Sequence, residues 1–127
     1  MIRGLSILLA LTFVGCASAP PNLSPAATLA WNNTRVIRGL DVLRDSAIEA
    51  NKQISPEGTP LLSEATTRKV VLYHASAITT IHATSSGWKA AVLTGLDEVV
   101  KDLPPKERAQ LAPYVTLLKT ILQGVSQ

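Results

Sequence analysis

Seven residues supply all of the rarer chemistry in this 127-residue chain: one Cys, one Met, one Phe, two Trp and two Tyr. A single Cys excludes an intrachain disulfide framework and a Cys-based metal cluster. Aromatics at 4% argue against a strand-rich sandwich or barrel, whose pleated faces draw on aromatic and β-branched side chains. Lys and Arg outnumber Asp and Glu by 12 to 9, a small surplus of scattered residues that gives no electrostatic footprint for nucleic acid. No apolar run comes near the ~20 residues a helix needs to span a bilayer core. Also missing are a Gly-rich phosphate loop, an HExxH or CxxC motif and the acid spacing of a calcium loop. What is present is 46% hydrophobic residues, rich in Ala, Leu, Val and Thr, in a length suited to one small all-α domain.

The N-terminus opens on one charge, Arg3, continues through an apolar run from Leu5 to Val14 and closes in small residues. This is the three-part form of an export signal. The sole Cys ends the run, in Phe13-Val14-Gly15-Cys16. That tetrapeptide resembles the bacterial lipobox, in which a small residue precedes a Cys that is lipidated and becomes the mature N-terminus. Phe13 stands where the motif usually carries Leu. The resemblance covers the signal region alone. It implies a signal peptide over residues 1–15, lipid on Cys16 and a membrane as partner. Acyl burial at about 0.8 kcal/mol per CH2 makes a two-chain anchor stable where one chain is marginal. Ala17 resembles the non-Asp residue that accompanies outer-membrane delivery in Gram-negative bacteria, which implies an outer-membrane location facing the periplasm. Two other readings compete: ordinary cleavage after Ala17-Ser18-Ala19, disfavoured by Pro20, and an uncleaved N-terminal helix, which shows no amphipathic pattern.

Residues 16–23 form the lipidated Cys and a linker, because Pro20, Pro21 and small neighbours neither propagate a helix nor bury area. Extended at about 3.1 Å per residue, the segment from Ala17 to Leu23 reaches roughly 20 Å. Residues 24–127 form the body. Ser24-Pro25 is an N-cap followed by Pro at the first helical position. Leu29, Val36, Leu40, Leu43, Ala47, Ala50 and Ile54 then recur at helical spacing, so a helix is expected over 25–52. Ser55-Pro56-Glu57-Gly58-Thr59-Pro60 is a turn by composition.

Ser63 caps a second stretch, with Val70, Val71, His74, Ala77, Ile78 and Ile81 within one arc; Ser85-Ser86-Gly87 interrupts it. Trp88, Val92, Leu96, Val99 and Leu103 give a third stripe, which Pro104-Pro105 ends. Leu111, Tyr114, Val115, Leu118, Ile121, Leu122 and Val125 form a fourth. Pro113 lies inside it, and a kink or restart is expected near Ala112 because Pro removes a backbone donor at a cost of about 3 kcal/mol. Short connections favour antiparallel neighbours, hence an up-and-down bundle of about four helices.

His74 and His82 are the candidates for chemistry. Eight residues on one helix separate them by about 12 Å, too far to share a metal or haem iron. His74 on the apolar stripe suits a core-edge histidine, and a hydrolase using it as a base is the weakest functional reading, since no nucleophile can be assigned beside it. Asp41, Asp45 and Glu49 repeat every four residues with Arg38 and Arg44 nearby, and Asp97, Glu98 and Asp102 recur with Lys101 between them. Both sets read as solvated helix faces. Arg68-Lys69 with Lys89 could meet phosphate or anionic lipid, though paired basic residues are common. Asn32-Asn33-Thr34 and Asn22-Leu23-Ser24 match a glycosylation acceptor by chance. No metal and no cofactor is expected.

The expected function is therefore a small lipid-anchored envelope protein, not an enzyme, that acts as a binding or scaffolding module, with an envelope protein or a second copy as partner and no nucleic acid. The alternative is a lysis or envelope-disrupting lipoprotein, resembling the outer-membrane spanin subunits of phage in lipobox and short length, from which the four amphipathic stretches depart. Apolar residues that the stripes leave over mark a candidate partner surface. Trp31 and Val42 project away from the Val36, Leu40 and Leu43 face, and Leu72 away from the Val70, His74 and Ile78 face. If the three converge, Trp31 is the natural hot spot.

Overall fold

The Ser24 hydroxyl accepts from the Ala27 N–H at 3.2 Å, and Pro25 takes the first helical position, where its missing N–H is no loss. These two residues start the longest of four helices. The computed structural model describes residues 22–84 and 87–125, so the expectations for the signal peptide and Cys16 lie outside the described residues. Helix α1 is Pro25–Lys52, α2 is Glu64–Ala83, α3 is Trp88–Lys101 and α4 is Pro105–Gln123. The class is all-α. Each helix packs on its chain neighbours, and α4 returns to α1, closing a ring of four.

The connections follow from local chemistry. Past α1, Gln53 is extended and Ile54 bridges to Pro60, so the turn through Ser55 and Gly58 folds back before α2. Ser63 Oγ caps α2 by accepting from the Thr66 N–H at 3.2 Å. Gly87, with φ of 79°, opens α3 in the left-handed region that a side chain disfavours. Pro105 is the first residue of α4, and Arg108 reaches back to donate to the carbonyls of Lys101 at 3.1 Å and Leu103 at 3.2 Å. The end of α3 thereby gains partners for carbonyls its own helix cannot satisfy.

The core is Val36, Leu40, Leu43 and Ala47 from α1, Val70, Tyr73, Ala77 and Ile81 from α2, Trp88, Val92 and Leu96 from α3, and Leu111, Leu118, Ile121 and Leu122 from α4. Leu62 and Leu103 from the connecting segments and Val125 just past α4 join it. Gly39 lets α4 come close to α1: a Cβ there would lie 2.9 Å from Ile121 Cδ1 and 3.2 Å from Leu118 Cδ1.

Three expectations need correcting. Ile54 is 63% exposed, because α1 stops at Lys52 and the chain turns extended before the pattern's next beat. Leu29 is only half-buried, since α1 overruns its neighbours at that end. At Pro113 the helix does not restart: α4 runs unbroken from Pro105 to Gln123, with Pro113 and Ala109 both on the solvent side, where an unpaired carbonyl can turn to water.

Among the described residues, the extra length of α1 leaves its first turns without a packed neighbour. At 1.5 Å per residue, α1 with its 28 residues is about 42 Å long and α4 with 19 is about 28 Å. None of residues 22–31 is buried, and the first buried position in α1 is Asn32. About two turns of helix therefore project beyond the packed body.

Candidate functional site: a histidine seam and an aromatic face

His74 sits on the seam between α1 and α2, its side chain 12% exposed. Its Nε2 lies 2.7 Å from Asp41 Oδ1 and 3.3 Å from Arg44 Nη1. A lone pair facing a carboxylate at that distance would repel it, so the geometry assigns the proton to Nε2, which donates to Asp41. The guanidinium, which has only donors, then meets the ring as a neighbouring charge. Arg44 Nε donates to Asp45 Oδ1 at 3.0 Å, and its Nη2 lies 3.9 Å from Asp41 Oδ1. Arg44 thus sits between two members of the acidic row and offsets their repulsion, as the spacing suggests. Pairing of Asp41 with a residue 33 positions on is the part that spacing does not contain.

A carboxylate and an imidazole in contact can hold a proton and orient each other. The ring meets Asp41 through a hydrogen bond and Arg44 as a neighbouring charge, with no Ser, Thr or Cys among the described residues hydrogen-bonded to it. Among the described residues no group of three or more His, Cys, Asp and Glu could hold a metal ion. His82 is exposed near the end of α2.

The second candidate is the outer face of α1. Trp31 is 40% exposed and lies in a groove with Leu23, Ala27, Ala30, Thr34, Arg35 and Arg38. Ala27, Trp31, Thr34 and Arg38 follow one another at steps of four, three and four, which is one stripe of one helix. Leu72 is 64% exposed and Val42 half-buried, and neither lines this groove. Val42 is on the Trp31 side of α1 but eleven residues away, about 16 Å along the axis. The aromatic face is thus a feature of Trp31 and its own helix. Arg68, Lys69 and Lys89 do not share a site either: Arg68 pairs with Glu64 at 3.2 Å at the start of α2, while Lys89 opens α3 and donates to the Val125 carbonyl at 2.9 Å.

Two buried polar groups have no counterpart in the sequence pattern. Tyr73 donates from its hydroxyl to the Val92 carbonyl at 2.8 Å, and burial, with the Asp97 charge adding to it, pushes its phenol well up. Glu107 is buried at the start of α4, where Oε1 accepts from the Ser63 N–H and Oε2 from the Thr66 hydroxyl at 3.0 Å. Burial pushes the Glu107 carboxyl up, but hydrogen bonds from Ser63 and Thr66 and the nearby Lys69 charge outweigh it and hold the group below its ordinary value. A trace of Glu107 does exist in the sequence: α2 begins Ser63-Glu64-Ala65-Thr66, an N-cap without the Glu or Gln that a capping box carries three residues on.

The geometry defines a four-helix bundle with a polar seam and an aromatic outer face. Comparison with protein-family models, with curated proteins and with solved structures finds no match.

Proposed function

We propose that the chain is a small lipid-anchored protein of the bacterial envelope, held through Cys16 and acting as a non-catalytic binding or scaffolding module. One observation carries the reading: the only Cys follows an apolar run and the small pair Val14-Gly15, and a Pro-containing linker then leads to the start of α1. The anchor supplies location, the bundle a rigid surface, and the exposed Trp31 face a place for contact. The fold supports this division of labour, since its apolar stripes bury one another around a single core. Outer-membrane delivery with the body in the periplasm completes the proposal, on the strength of Ala17.

The test is the mass of the mature N-terminal peptide together with fractionation of the cells. Lipid on Cys16 is expected, and Cys16→Ser is expected to leave the membrane fraction or persist as an uncleaved precursor. An unmodified Cys16 inside the mature chain refutes the anchor. Zinc or haem is expected to leave the melting temperature unchanged; a rise would indicate a ligand that binds the folded state and would contradict the cofactor-free reading.

A further inference from the structure

The nine acidic residues occupy two intervals of the sequence. Asp41, Asp45, Glu49, Glu57 and Glu64 fall within residues 41–64, and Asp97, Glu98, Asp102 and Glu107 within 97–107. In the fold these intervals come together: Asn51 bonds the Leu62 carbonyl, and Glu107 bonds Ser63. The opposite pole is built from the start of α1, the end of α2, the start of α3 and the end of α4. Lys89 on Val125 and Gly39 against Ile121 tie those parts to one another. No Asp or Glu occurs in residues 1–40, 65–96 or 108–127, so beyond the level of Gly39 this pole carries Arg35, Arg38 and Lys89 and no acid, while Asp41 and Asp97, the latter paired with Lys119 at 3.0 Å, lie just on the body side of that level.

The overhanging turns of α1 belong to the same pole. Their groove is apolar at the end nearest the linker, with Leu23, Ala27, Ala30 and Trp31, and cationic farther on, with Arg35 and Arg38. Trp31 and Arg38 are about 10 Å apart along the axis. That is the order in which a phospholipid interface presents its chemistry to a helix that meets it end-on, with apolar and indole groups at the acyl boundary and guanidinium groups at the phosphates. The chain preceding this groove is the linker that runs from Cys16, whose reach of roughly 20 Å is a ceiling and permits direct contact.

Resting on the lipid-anchor reading, we infer that the acid-free pole of the bundle lies against an anionic phospholipid surface, with Leu23 and Trp31 in the interface and the exposed Arg38 facing headgroup phosphates. The body then has a fixed orientation: the acidic pole, with its turn at residues 53–63 and the α3–α4 junction, faces away from the bilayer. The contact can be weak by itself, because a tether keeps the face at high local concentration beside the surface.

The experiment uses the full chain reconstituted into phosphatidylcholine vesicles with or without phosphatidylglycerol, one set carrying bromine on the acyl chains. Trp88 is buried at 1% exposure, so Trp31 is the indole open to outside quenchers, and Trp31→Phe assigns the signal. Expected are bromine quenching of Trp31 in anionic vesicles, shielding of Trp31 from iodide, and loss of both effects at high salt. Arg38→Glu is expected to weaken the contact about 30-fold, the equivalent of about 2 kcal/mol for a two-unit charge change near such a surface.

If Cys16 carries lipid and the chain is membrane-bound while Trp31 stays as open to iodide as in buffer, the inference is overturned and the anchor stands. If Cys16 carries no lipid, the anchor fails. The contact is then read from the same chain added to the same vesicles, where Trp31 quenching retains it and its absence overturns it. Shielding of Trp31 that grows with protein concentration in the absence of vesicles would assign the face to a second copy and overturn the membrane contact.

Discussion

Glu107 completes the N-terminal cap of a helix to which it does not belong. In a capping box, the third helical residue reaches back to the N-cap N–H. Here that residue is Thr66, and the Ser63 N–H donates instead to the Glu107 carboxylate from α4, which also accepts from the Thr66 hydroxyl. The start of α2 and the start of α4 are therefore fastened by one buried anion.

This fastening makes stability depend on acid. The Glu107 carboxyl is held below its ordinary value of 4.5, so its contribution is complete above that value and is lost as pH falls through the lower value of the folded state. Glu107→Gln is expected to cost about 1 kcal/mol at pH 7, because the neutral amide is a weaker acceptor. Thermal melts of both proteins from pH 7 to pH 3 are the check. The gap should close at the acid end, and a constant gap would contradict the assignment.

Tyr73 gives the opposite dependence. Burial holds its phenol above the ordinary value of 10.0, so the folded state favours the neutral form, and the associated stability is present below that value and lost as pH rises beyond it. Tyr73→Phe is expected to cost about 1 kcal/mol at neutral pH, since the Val92 carbonyl loses its donor. Above pH 10 the variant should lose stability less steeply than the parent. Equal slopes in the alkaline melts would count against this.

Close approach at Gly39 can be tested by paired substitutions. Gly39→Ala improves helix propensity by about 1 kcal/mol but drives a methyl into Ile121 Cδ1, and overpacking of this kind costs about 1–3 kcal/mol. Net destabilisation is expected from the single change. Adding Ile121→Val removes the colliding atom and should recover stability beyond the sum of the two separate effects, as measured by denaturant titration of all four proteins. Additive effects would place the strain elsewhere.

For the Asp41–His74 pair, a double-mutant cycle with Asp41→Asn and His74→Gln is expected to give a coupling below about 1 kcal/mol. Asp41 is 42% exposed, so water and salt screen the interaction. Coupling should shrink further at high salt. A value several times larger would show that the seam is better shielded than its exposure indicates.

The outline of the fold was legible because its punctuation is local. Ser24-Pro25, Ser63 and Pro104-Pro105 act within a few residues of themselves, and the observed bounds Pro25–Lys52 match the expected 25–52. The faces were read less well. Periodicity placed Val71 and Ile78 in the arc of α2 but passed over Tyr73, whose burial is decided by a carbonyl on α3 and by the space left at Gly95, where a Cβ would meet the Tyr73 ring at 3.0 Å. His74 was placed correctly on the stripe, while its partner lies on another helix. Trp31 was singled out by its helical angle, but the company it keeps was set by the length of α1 relative to its neighbours, which appears only once the helices are stacked.

The overrun of α1 also determines how the molecule would respond to a pull on its N-terminal side. From Pro25 to Trp31 no side chain is buried, so these turns are held by backbone hydrogen bonds whose net worth is about 0.5–1.5 kcal/mol each. Under tension they would unzip one after another until Asn32, where the packed body begins. Seven residues passing from 1.5 Å to about 3.4 Å of rise would lengthen the connection by about 13 Å. A force transmitted along the chain would thus be absorbed first by released slack, and the core would feel it only after that reserve had run out.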